Sequence, residues 1–318
     1  MQSLDWKTFE VSTLRGHRAA VPALCCFFTV DAYVHEVAAE LADGLERYIA
    51  LVGLGALKSY SSKSGIWKPM GKRQLAKDLA HLRDFPEDHL ANHLSYDAGE
   101  GGEPGGFGVH ISANVRSDVF PDKAGLMRFD MPAGWLAEHE AQELIGFVSD
   151  ICELSHVQSA QVGLTFKTTP GSHSDAKAAI LQMLPRYYGF SPCDFSLRNE
   201  MLGHTLTAHW LNYVNDALAA VCGGDEAIVR ALPGCEVRKL TKGVLIRGAE
   251  LPPIGDINRQ APDLGALPDV ARVLRPTRVD VSTTYLGREG GFDAEKWIAR
   301  MDALDARAWN NADLVRRA

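Results

Sequence analysis

The 318-residue sequence predicts an α+β fold: mixed or largely antiparallel sheets flanked by helices, in two closely packed subdomains. Two patterns predict it. Several short stretches alternate apolar and polar residues with period two, and amphipathic stretches of helical period lie between them. Phe107, Val109, Ile111, Ala113 and Val115 fall on one face of a strand, with Gly108, His110, Ser112 and Asn114 on the other. Met127, Phe129 and Met131 repeat the pattern, as do Val162, Leu164 and Phe166. Alternation of this kind implies sheets buried on one face and solvated on the other, which favours antiparallel or mixed sheets over a doubly wound parallel one.

The elements then follow in order. Residues 21–30 read as a buried strand, and residues 31–52 as the clearest helix. Its apolar stripe is Val34, Val37, Leu41, Leu45, Tyr48 and Val52, and Gly53 and Gly55 close it. A hairpin is expected around residues 61–65, a short helix near 73–82, and a loop through the glycine-rich residues 99–108. Helices are expected at 138–152, 174–184, 211–221 and 293–304. The last has Asp293 as N-cap and Phe292 placed to staple onto Trp297. No fixed-period repeat and no long Pro/Ser linker is present. The expected organisation is an N-terminal extension (1–20), a first subdomain (21–120) and a second (121–318), within one continuous domain.

Charge narrows the function classes. Thirty-three Lys and Arg against 40 Asp and Glu give a net charge of −7, which excludes a generic nucleic-acid binder and a polybasic membrane-surface protein. The charge is unevenly spread. Residues 84–115 carry six acids and no Lys or Arg, and residues 129–166 repeat this with another six, so a localised acidic surface is expected. Lys58, Lys63, Lys68, Lys72, Arg73, Lys77 and Arg83 form a basic stretch. A block of like charge is by default a solvated face, but it can also steer an oppositely charged partner.

The six cysteines form no CxxC pair and sit mostly in apolar stretches, a usage that fits a reducing compartment. No apolar run reaches the roughly 20 residues of a spanning helix. The apolar stretch 19–30 follows Arg15 and Arg18, but Asp5 and Glu10 precede it and no small-residue cleavage site follows, so it is not read as a signal peptide. A cytoplasmic location is expected, without a membrane partner or direct nucleic-acid binding; the sequence leaves a homodimer open.

No catalytic motif is complete. Residues 65–72 resemble a phosphate loop, but the glycine spacing is one residue too long, Arg73 replaces the Ser/Thr, and Pro69 removes a backbone donor. His89 and His93 share helical spacing, yet the metalloprotease glutamate is missing. Ser172, His173 and Asp175 are neighbours in sequence, which do not converge as triad side chains do. No catalytic residue, metal ligand or cofactor site is assigned. The loop Asp256-Ile257-Asn258-Arg259, made rigid by Pro252 and Pro253, reads first as a turn in which Asp256 and Asn258 bind backbone, and second as a recognition element.

An ordered set of short motifs resembles a known family. The set is Gly65-x-Trp67-Lys68-Pro69, Met131-Pro132-x-x-Trp135-Leu136, Gly163-Leu164, Pro185-Arg186-Tyr187-Tyr188, Trp210-Leu211 and Pro252-x-x-Gly255-Asp256-x-Asn258-Arg259. Together it resembles the type VI secretion immunity proteins of the TsiV/TsiT kind, over most of the chain. The resemblance implies a non-enzymatic antitoxin whose partner is a cognate nuclease toxin, with restriction-endonuclease-like or VRR-type domains. It does not identify the binding face. A DNA-cleaving toxin must present a basic cleft, so Asp97, Glu100 and Glu103 in the acid-only loop are the expected toxin-facing residues. Asp256, Asn258 and Arg259 are a second set. The competing reading is a small-molecule hydrolase or transferase with a site assembled from distant segments.

Overall fold

The computed structural model describes residues 5–62, 64–85, 92–100, 102–115, 123–169, 172–191, 201–259, 262–280 and 292–302. No helix of the described residues is long and apolar enough to cross a membrane.

One twelve-stranded sheet organises them. Its strands are β1 (Val11–Ser12), β2 (Arg18–Val30), β3 (Ser59–Ser61), β4 (Trp67–Pro69), β5 (Asn92–Asp97), β6 (Gly108–Ala113), β7 (Gly125–Pro132), β8 (Val157–Lys167), β9 (Phe190–Ser191), β10 (Leu211–Asn215), β11 (Glu236–Leu240) and β12 (Gly243–Arg247). The spatial order is β11-β12-β10-β8-β2-β7-β6-β5-β3-β4, with β1 beside β2 and β9 beside β8. Every pairing is antiparallel except β8–β9. The sheet is thus largely antiparallel, and the helices lie against it as expected for an α+β chain.

Register assigns the two faces. Leu94, Ile111, Met127, Phe28, Ala160, Tyr213 and Leu245 lie side by side across seven strands. This row is apolar and buried beneath α1 (Val34–Val52) and α3 (Ala141–Cys152). Helix α1 buries Val34, Val37, Leu41, Leu45 and Tyr48, the predicted stripe. Its first turn is closed by Glu36, whose carboxylate accepts from the Tyr33 N–H at 2.9 Å.

The next row on the opposite face is Ser95, His110, Arg128, Phe27, Gln161, Asn212 and Ile246. It too is buried. This corrects the expectation of a solvated polar face. Residues 5–12, α4 (His173–Met183), the segment 201–210, α7 (Leu267–Leu274) and α8 (Ala294–Ile298) cover it through a second and a third apolar cluster. Several of the polar groups on this side of the sheet pair with one another. Ser95 Oγ meets His110 Nδ1 at 2.8 Å, Arg128 Nε donates to Asp130, and Thr29 and Ser159 share a hydroxyl bond.

Two further elements differ from expectation. Residues 211–215 are strand β10, and only Asp216–Val221 forms a helix, α5, with α6 (Asp225–Ala231) following it. Asn215 sets that boundary: its side chain accepts from Leu218 N–H, an N-cap in the middle of the predicted helix. Helix α8 is one short stretch, capped as expected by Asp293 on Lys296 N–H at 2.9 Å, with Phe292 beside Trp297. The hairpin β3–β4, helix α2 (Lys72–Arg83) and the chain reversal between β5 and β6 match the sequence reading.

Candidate functional site

The glycine-rich loop joining β5 to β6 is a built object. Asp97 ends β5 and is 2% exposed. Its Oδ1 accepts from the N–H groups of Gly99 and Gly105, both at 2.7 Å, and its Oδ2 accepts from Lys167 Nζ at 2.5 Å. Lys167 spends its other two donors on the carbonyls of Gly105 and Phe107, each at 2.8 Å. Ser59 Oγ donates to Gly99 O and Thr169 Oγ1 to Gly102 O. The backbone polar groups that a buried loop would leave unmet are therefore taken by side chains of β3, β5, β8 and the turn after β8.

Glycine is required where the loop folds on itself. A Cβ at Gly99 would stand 1.9 Å from the Glu103 carbonyl oxygen, and one at Gly105 2.4 Å from Gly99 N. Gly102 has a positive φ of 89° and lies against the Trp67 ring.

The six sequence-predicted residues fall into two groups. In the loop, Asp97 is interior, Glu100 is exposed, and Glu103 is partly exposed. Glu103 accepts from His17 Nδ1 at 2.9 Å and lies 3.5 Å from Arg18 Nε, and the His17 bond chiefly holds its carboxyl below the usual range. Residues 17 and 18 thus clip the loop from the N-terminal side.

In the second group, Asp256 forms a two-pronged pair with Arg186, both contacts at 2.9 Å, and accepts from Asn258 N–H at 3.1 Å. The Arg186 bond lowers the Asp256 pKa. Asn258 and Arg259 are exposed. The turn is locked further by Tyr188 N–H to Gly255 O and Gly189 N–H to Ile254 O, each at 3.0 Å. The backbone-binding role expected of Asp256 is therefore present. Among the described residues no hydrogen bond or ion pair joins the two groups.

The strands of the two acid-only windows adjoin, β6 pairing with β7 at Gly108 and Asp130, and their acids lie in different surroundings. Asp97 and Asp130 are buried beside Lys167 and Arg128. Glu138, Glu140, Glu143, Asp150 and Glu153 are exposed on or beside α3, over the other face of the sheet. Glu87, Asp88 and His89 lie outside the described residues. Lys167, His17 and Arg18 were not legible as site residues; the sole hint was a lysine closing the otherwise uncharged strand β8.

Ser172 Oγ accepts from Thr169 N–H within a turn, and His173 Nδ1 faces Thr168 Oγ1 at 3.3 Å. These bonds belong to the start of α4. Among the described residues no three His, Cys, Asp or Glu side chains are grouped to hold a metal, and the five described cysteines are free thiols.

A wide, largely antiparallel sheet with helices packed on both faces defines an α+β protein. The Pseudomonas aeruginosa T6SS protein PA0821 has a similar structure, with a TM-score of 0.78 at 17% identity, covering 93% of this chain and 88% of that one. The family model described as type VI immunity for VRR-NUC, TsiV, matches residues 40–301, and the chain belongs to this family of type VI secretion immunity proteins. No curated protein matches the sequence.

Proposed function

We propose that this protein neutralises its cognate type VI nuclease effector by direct binding in the cytoplasm, without catalysis, and that the glycine-rich loop enters the effector's basic DNA cleft. The observation that carries this reading is the loop itself: fixed by buried side chains and tipped by the exposed carboxylate of Glu100, with Glu103 beside it. A nuclease cleft must attract phosphate, so it is basic. A rigid acidic loop loses little entropy on entering it, and its charge raises the association rate. The turn bearing Asn258 and Arg259 is a second contact set in this proposal. Asp97 acts inside the protein.

The test is protection and affinity together. Co-expression with the effector should rescue growth, and the Glu100→Lys/Glu103→Lys double variant should lose both rescue and at least tenfold in affinity. The control is Glu138→Lys/Glu140→Lys beside α3. Wild-type affinity in the loop variant, or equal loss in the control, would overturn the assignment of the loop.

A further inference from the structure

We infer that Lys167 is a positioning residue for the glycine-rich loop, holding it in its binding shape from a distant strand; this rests on the loop being the effector-binding element. The sheet order makes the contact informative. β8 and β5 are four steps apart in the order β8-β2-β7-β6-β5. At about 4.8 Å per step, a flat sheet would separate them by about 19 Å. Yet Lys167 Nζ lies 2.5 Å from Asp97 Oδ2. The sheet therefore curls toward its polar face at this end, and the lysine spans the curl. Gly108 makes room for it: a Cβ there would stand 2.5 Å from Lys167 Cε.

The ion pair is buried on both sides, with 4% of the lysine and 3% of the aspartate side chain exposed. Desolvation makes such a pair a poor source of stability compared with apolar side chains of the same volume. What it does achieve here is geometric. All three ammonium donors are used, one on Asp97 and two on loop carbonyls, so a single side chain sets the position of Gly105 and Phe107 relative to β5. Methionine could fill the space, but it could not direct the loop.

The test compares Lys167→Met with a milder Ser59→Ala/Thr169→Val variant. The latter keeps the ion pair and removes the hydroxyl bonds to Gly99 O and Gly102 O. Hydrogen exchange of the free protein reads the loop, and titration with catalytically inactive cognate effector at two salt concentrations reads binding. In Lys167→Met, amides 98–107 should lose protection while those of β2 and β8 keep theirs. Affinity should fall at least tenfold with an unchanged salt slope, because no loop-tip charge is removed. The milder variant should show a smaller loss of both. If Lys167→Met does not fold, Lys167→Met/Asp97→Asn, which strands no buried charge, is read in its place: reduced loop protection with reduced affinity supports the inference. Retained loop protection in the folded variants, or lost protection at full affinity, overturns it. Failure of the underlying reading is seen separately, as wild-type affinity in Glu100→Lys/Glu103→Lys.

Discussion

Acidification from pH 7.5 to pH 5 should cost the fold about 2 kcal/mol through His209 alone. His209 is buried, its Nε2 has no hydrogen-bond partner, and Gly163 packs against its ring. Burial, helped by the nearby Arg300, pushes its pKa down to about 3. Arg300 is itself buried; it donates to the Tyr188 and Trp297 carbonyls and lies over the Trp297 ring. A proton therefore cannot be accommodated in the folded state, whereas the unfolded chain accepts one near pH 6.5. The unfolded state binds more protons below that value, so stability must fall as pH falls, by about 1.4 kcal/mol per pH unit, down toward pH 3. Between pH 6.5 and 5 this gives about 2 kcal/mol. Urea unfolding at pH 7.5, 6.5 and 5 measures it, with His209→Asn as the reference. Asn212 holds the His209 backbone, not its ring, so the local turn should survive the substitution. The difference in unfolding free energy between the two proteins should shrink by about 2 kcal/mol on acidification. A difference that stays constant with pH would refute the burial of a neutral imidazole.

Other outcomes follow from the packing. Gly189→Ala places a Cβ 1.8 Å from the Pro253 carbonyl oxygen, a backbone clash that should cost about 3 kcal/mol, read as a lower urea midpoint at unchanged slope. Phe9→Ala removes a buried ring stacked on Phe190 at 5.2 Å and should cost about 3 kcal/mol in the same assay. Arg186→Ala frees Asp256 from its depressed pKa. The stability this pair adds is present above the ordinary carboxylate value and lost as pH falls through the lowered one. Because Arg186 is about half exposed, acid titration of both proteins should show a difference below about 1 kcal/mol.

How much the sequence disclosed depended on how local each cause was. Helix α1 and strands β2, β7 and β8 follow from periodicity within a dozen residues, so Val34, Leu41, Tyr48, Met127 and Phe129 could be placed inside. The glycine-rich loop was legible as a loop, because its glycines permit the close passes at Gly99 and Gly105. The burial of Asp97 was not, because its partner lies 70 residues away on a strand brought near only by the curl of the sheet. For the same reason the polar row from Ser95 to Asn212 looked solvated: period-two alternation reports two unlike faces but not what covers the second. The helix expected over 211–221 failed at Asn215, where one side-chain cap outweighed an apolar spacing that a buried strand satisfies equally well.

If the glycine-rich loop fills the effector's cleft, this immunity protein and DNA compete for one site. The direct measurement is equilibrium binding of labelled duplex DNA to catalytically inactive cognate effector while this protein is titrated in. Competition requires complete displacement of the DNA, with an apparent affinity that weakens in step with DNA concentration. A stable complex of effector, DNA and this protein together would contradict it.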